Sequence, residues 1–321
     1  MHFLLSAGLF SLALAVQAAP AEIVRRSAFS GFDQLESLFV FGDSWSRTGF
    51  DVTGDQPSIS NPLGNPAYPG RTSANGANWL GYLTTTYNQS MFLTYNFGTS
   101  GATIDSDIVD ADADVLGELN DKFVPYYASN GTWESTTTLF AIWIGVNDIN
   151  RSYMGDYTST NEADFEQYRA VLDTLYELGA RNFLLLNAPP LERSPAVTGF
   201  ETAYVRIPRC LNMTTDWNDR LENLQEDIRN NYQDSNVFLL DTNAMFNEVI
   251  DDPAKYDQTA VYKDTTSQCG AYNDGTPEID TKYDECDYAA NEYLWLNSLH
   301  PTSPIHELVA YKAAELLSAE G

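Results

Sequence analysis

Basic side chains are scarce in this chain: 17 lysines and arginines stand against 45 aspartates and glutamates in 321 residues, a formal net charge of −28. Such a surface repels phosphate backbones and anionic lipid headgroups, which argues against nucleic-acid binding and electrostatic docking to a membrane. It suits solubility in an acidic extracellular medium. Long apolar runs are missing too, and without 18 consecutive apolar residues no membrane-spanning helix is expected. No repeat period or low-complexity tract occurs, which argues against a solenoid or a disordered chain. Three cysteines are too few for disulfides to carry the fold. Three histidines, with neither Cys-x-x-Cys nor His-Glu-x-x-His, leave little to hold a transition metal, so no metal or cofactor is expected. A Gly-x-x-x-x-Gly-Lys phosphate loop and a Gly-x-Ser-x-Gly elbow are absent, which removes nucleotide hydrolysis of that type and the usual α/β-hydrolase arrangement.

What is present begins with a targeting signature. Residues 1–19 carry an apolar stretch ending in Val16-Gln17-Ala18-Ala19, small residues suited to signal peptidase. The expectation is a secreted protein with a signal peptide at 1–19, a propeptide ending at Arg25-Arg26, and a single domain over 27–321. Sequons at Asn88, Asn130, Asn150 and Asn212 agree with secretion. Cys269 and Cys286 bracket a polar, Gly/Asp-rich stretch and are the expected disulfide pair; Cys210 is then either free and buried or the true partner of one of them.

Short apolar runs alternate with helix-period stretches, the pattern of a parallel sheet wrapped by helices. Strands are predicted at 37–41, 92–96, 139–144, 182–187 and 236–240, and helices at 76–87, 108–127, 162–178, 215–232 and 304–318. The polar stretches 51–73 and 252–288 read as loop-rich surface insertions.

His2 lies in the signal segment, so a histidine base must be His300 or His306. His306 falls within the last predicted helix and reads as a surface or packing residue, whereas His300 sits in the loop that enters it. Three predicted strands end in polar clusters: Gly42-Asp43-Ser44-Trp45, Asn96 to Gly101, and Gly145-Val146-Asn147-Asp148. Ligands of an open parallel sheet bind at the carboxyl ends of its strands, so these clusters can converge on one crevice.

In order and spacing, Gly42-Asp43-Ser44, Gly101, Gly145-x-Asn147-Asp148 and His300 resemble the four blocks of the GDSL or SGNH hydrolases. Gly70-Arg71-Thr72-Ser73-Ala74-Asn75-Gly76, followed by Trp79, resembles the plant and fungal branch. The resemblance implies a three-layer α/β/α flavodoxin-like SGNH hydrolase fold with a central five-stranded parallel sheet. It implies Ser44 as nucleophile, His300 as the base that takes and returns its proton, and an oxyanion hole of the Ser44 and Gly101 N–H groups and the Asn147 amide. Asp43 and Asp148 are then expected to tie down their own turns.

One position departs from the family. An Asp usually stands three residues before the His, and here Asn297 occupies it. In a serine protease triad that replacement costs about 10⁴ in turnover. The open arrangements are a Ser–His dyad oriented by a backbone carbonyl or by Asn297, recruitment of another acid such as Glu292, or a weakened or inactive site. A working dyad is the expectation, because the other blocks are intact.

Residues 40–50 resemble secreted fungal acetyl esterases of the sixteenth carbohydrate-esterase family. That resemblance implies release of acetyl groups from xylo-oligosaccharides and related plant cell-wall sugars. A monomer acting on a small acetylated saccharide or other ester is expected, with Trp45, Trp79, Trp143 and Trp295 available to stack on sugar rings. The alternatives are a lipase or phospholipase of the same superfamily and a carbohydrate-binding protein that has lost activity.

Overall fold

The computed structural model describes residues 29–319, so the predicted signal segment and its cleavage sites lie outside the described residues. The elements run β1 (Ser37–Gly42), α1 (Trp79–Thr85), β2 (Leu93–Asn96), α2 (115–126, with a π-helical turn at Glu118–Phe123), β3 (Thr138–Trp143), α3 (Val146–Ser152), α4 (Tyr157–Glu177), β4 (Asn182–Leu186), α5 (Ala203–Asn231), β5 (Asn236–Leu240), α6 (Thr242–Asp251) and α7 (Ser303–Ala319). The strands form one parallel sheet in the order β2-β1-β3-β4-β5. β1, β3 and β4 are buried along their whole length, which is why they read as continuous apolar runs rather than alternating ones.

In-register pairing sets aromatic rings side by side. Tyr95, Phe39, Phe140 and Phe183 lie at one level on four adjacent strands, with neighbouring centroids 4.8, 5.3 and 6.2 Å apart. Phe123 of α2 meets Phe39 edge-on at 5.2 Å. On the other face α1 packs against α7, and Trp143 lies against Trp79 and His306. The chain leaves β1 toward β2 and returns past it to β3. The strand order therefore reverses between β1 and β3, and a crevice opens at the carboxyl ends of these two strands.

Helix boundaries differ from the sequence pattern for local reasons. Asn78 caps α1 by accepting from the N–H groups of Leu80 and Gly81, which delays its start. Asp114 caps Gly117 N–H, so α2 begins at 115 rather than 108. α5 starts at Ala203 rather than 215 and carries Pro208 in its interior, a residue that normally ends a helix. α3 and α6 were not predicted. Cys269 and Cys286 are bonded to each other beside a small apolar cluster of Tyr272, Ala290, Tyr293 and Leu296, and Cys210 is free and buried.

Replacing Phe39 by Ala empties the centre of the aromatic layer and is expected to cost roughly 3–5 kcal/mol in urea unfolding. Ile59→Ala, at a site 80% exposed, is expected to change stability by less than about 0.5 kcal/mol.

Candidate active site

At the end of β1, Gly42 pairs with Trp143 of β3, and a Cβ on Gly42 would lie 2.2 Å from the Trp143 carbonyl oxygen. Only glycine permits this approach. The following turn is held by Asp43, whose Oδ1 accepts the Trp45 N–H at 2.9 Å. Ser44 thereby faces the crevice, and its Oγ lies 2.7 Å from His300 Nε2.

The ring of His300 is oriented by Asn297. Its Oδ1 accepts the backbone N–H groups of Leu299 and His300 at 3.1 and 2.9 Å and stands 2.9 Å from His300 Nδ1. An atom that accepts two backbone N–H bonds is the amide oxygen, not its nitrogen, so Nδ1 must carry the ring proton. Nε2 then presents its lone pair to the Ser44 hydroxyl. The wrong-tautomer penalty of a free Asn at this position is removed by the backbone that pins it. Glu292 is not recruited: its carboxylate is engaged by Lys263 at 2.5 Å and the Ala289 N–H at 2.9 Å. His306 is buried in the core against Trp45 and Trp143.

Asn147 lies in the first turn of α3, beside the Asp43–Ser44 turn. Its Nδ2 donates to the Ala102 carbonyl at 2.9 Å and reaches Asp43 Oδ2 only at 3.5 Å, which leaves one hydrogen weakly held. Gly101, at φ +78, has its carbonyl clamped by Arg151 at 3.1 Å. Asp148 does not tie its own turn as expected. Its Oδ1 crosses to the Ile104 N–H at 2.8 Å and binds the second block to the third.

The four tryptophans offered as sugar platforms are corrected by their burial: Trp45, Trp79, Trp143 and Trp295 are at most 1% exposed and pack in the core. Four contributors were given no role from sequence. They are Arg151, the clamp; Glu118, whose buried Oε2 accepts the Gly42 N–H at 2.9 Å; and Arg47 and Arg71 in the cleft wall. The cleft, of about 710 Å³, is lined mostly by polar residues and includes His300 and Asn297. Of the sequon asparagines, Asn130 and Asn212 are exposed, while Asn88 and Asn150 are half-buried.

Loss of solvent around the ring pushes the His300 imidazole down to about 4, with no carboxylate at Nδ1 to oppose it. Burial pushes Asp43, Glu118 and Asp164 up to about 8 and Asp148 up to about 7. It pushes His306 down to about 3. The four carboxyls hold protons in the folded chain that the unfolded chain releases, so their contribution is lost as pH rises from about 4 to about 8. The two histidines refuse protons that the unfolded chain binds below about 6.5, so theirs is lost as pH falls. Four groups outweigh two, and calorimetry is expected to give a higher Tm at pH 5 than at pH 8; the reverse order would refute the assignment.

Residues 38–313 match the GDSL-like lipase/acylhydrolase family. Over 290 residues the chain is 36% identical to an acetylesterase of Thermothelomyces thermophilus, covering 87% of each. It is 22% identical over 348 residues to an acetylesterase of Hypocrea jecorina, covering 93% of this chain and 94% of the relative. A GDSL-like protein from Parabacteroides merdae superposes with a TM-score of 0.50 at 14% identity, over 89% of this chain and 98% of that one, a likeness of fold.

Proposed function

The chain belongs to the GDSL-like lipase/acylhydrolase family and is a carboxylic ester hydrolase; from that premise we propose that it is a secreted acetyl esterase that deacetylates plant cell-wall oligosaccharides. The observation that carries the reading is the continuous hydrogen-bonded line from Asn297 through His300 to Ser44. Ser44 Oγ attacks the acetyl carbonyl carbon while its proton passes to His300 Nε2. The oxyanion that forms is met by the N–H groups of Ser44 and Gly101 and the weakly held hydrogen of Asn147 Nδ2. The sugar alkoxide leaves with the proton from Nε2, and water, activated by the same nitrogen, releases acetate from Ser44.

A polar cleft with few apolar residues supports a short acyl group on a hydrophilic leaving group over a long lipid chain. The acetylesterase relatives support the same choice. The Cys269–Cys286 disulfide and exposed sequons at Asn130 and Asn212 support an oxidising, secretory route.

Hydrolysis of p-nitrophenyl esters from acetate to palmitate is expected to peak at acetate and to vanish in Ser44→Ala; a maximum at long chains would favour the lipase reading, and no activity would favour a binding protein. The acid limb of kcat/KM is expected near pH 4, because the base stays neutral down to there. Asn297→Asp places a negative charge beside Nδ1 and is expected to move that limb upward by about one unit or more. An unmoved limb would show that this position does not face the working base.

A further inference from the structure

In a chain so short of cations, the placement of those that have no partner is informative. Arg47 and Arg71 make no side-chain hydrogen bond or ion pair among the described residues. Every other described lysine and arginine is engaged. They pair with carboxylates, as Arg181 does with Asp234 and Lys263 with Glu292, or donate to carbonyl and hydroxyl oxygens, as Arg151 and Lys122 do. The two free guanidinium groups line the same cleft as His300 and Asn297.

The backbone builds this arrangement. Arg47 closes the nucleophile turn, its N–H donating to the Asp43 carbonyl at 3.0 Å. Arg71 N–H donates to the Thr48 carbonyl at 2.7 Å, which lays the 70–76 loop against the segment that carries Arg47. Gly49, at φ +79, leaves room for the Arg71 stem: a Cβ there would lie 3.2–3.4 Å from its Cβ, Cγ and Cδ. Asn75 then fastens the loop to the opposite wall, donating to Thr276 Oγ1 at 2.8 Å and accepting the Thr276 N–H at 2.7 Å. Two like charges on neighbouring segments repel until an anion joins them, and the guanidinium fork matches a carboxylate. Asp274 and Glu278 line the facing wall, so a polyanion would be repelled there while a single negative group beside the arginines would not.

We propose that Arg47 and Arg71 form a subsite for the carboxylate of a uronic acid residue carried by the oligosaccharide. This deepens the acetyl esterase reading by naming the charge class of its substrate, and it rests on that reading.

The test is calorimetric titration of Ser44→Ala with two unacetylated probes, xylotetraose and xylotetraose bearing one glucuronic acid branch. The branched probe is expected to bind about tenfold tighter at low salt, the gain of one charge-assisted contact. The preference should shrink as salt screens the pair and disappear in Arg47→Gln/Arg71→Gln, while Arg71→Lys keeps part of it. Equal affinities at low salt, or a preference that survives high salt or the double substitution, would overturn the subsite. Should the double variant fail to fold by circular dichroism, the salt series on Ser44→Ala decides alone. Wild-type turnover of p-nitrophenyl acetate is read separately: its absence sinks the esterase reading, whereas the probe titration bears only on the arginines.

Discussion

β1 and β3 stay in register to their last residues, Gly42 beside Trp143, and this is possible only because Gly42 has no side chain to meet the Trp143 carbonyl. The two strand ends are thereby brought to one height, and the segments that follow, Asp43–Trp45 and α3, open into the same crevice. Glu118 occupies the Gly42 N–H from below, so the final residue of the strand is held on both sides. Ser44 and Asn147 owe their common orientation to this pairing. A side chain at residue 42 would separate the strands just where Ser44 and Asn147 lie.

The hydrogen-bonded line beside that turn is built from neutral groups. Asn297 keeps the geometry of an orienting residue because two backbone N–H groups decide which of its atoms faces the imidazole. It gives up the charge that would stabilise an imidazolium. The neighbouring carboxyls Asp43 and Asp148 are buried and hold their protons well above the ordinary range. The interior of the site thus carries little charge in acid, and both a neutral His300 and the fold are suited to that condition. An acidic surface of net charge −28 is consistent with the same environment.

Packing also redistributes the aromatic and cationic side chains away from what their residue types suggest. Trp45, Trp143 and Trp295 form an edge-to-face cluster under the crevice rather than a platform within it. They bury large apolar areas and stiffen the floor on which the Asp43–Trp45 turn rests. The cleft wall is polar instead, and its free cations among the described residues are the two arginines brought together by a backbone bond between Thr48 and Arg71.

All five strands were legible because strands buried on both faces leave near-continuous apolar runs, and the polar blocks at three of their ends were legible because turns need Gly, Asn, Asp and Ser. α3 was hidden, since Gly145-Val146-Asn147-Asp148 looks like a turn until the chain continues helically, and Pro208 concealed the first part of α5. Local patterning by itself determined a parallel sheet wrapped by helices and the polar clusters at three strand ends; the resemblance to the GDSL hydrolases then singled out Ser44, Asn147 and His300. Only tertiary structure decided that Asn297 presents its oxygen to His300, that Glu292 is spent on Lys263, that the tryptophans are core, and that Arg47 and Arg71 share a wall. Residue type and spacing encode which elements form. Which atom faces which depends on contacts between segments far apart in the chain, and no local pattern records those.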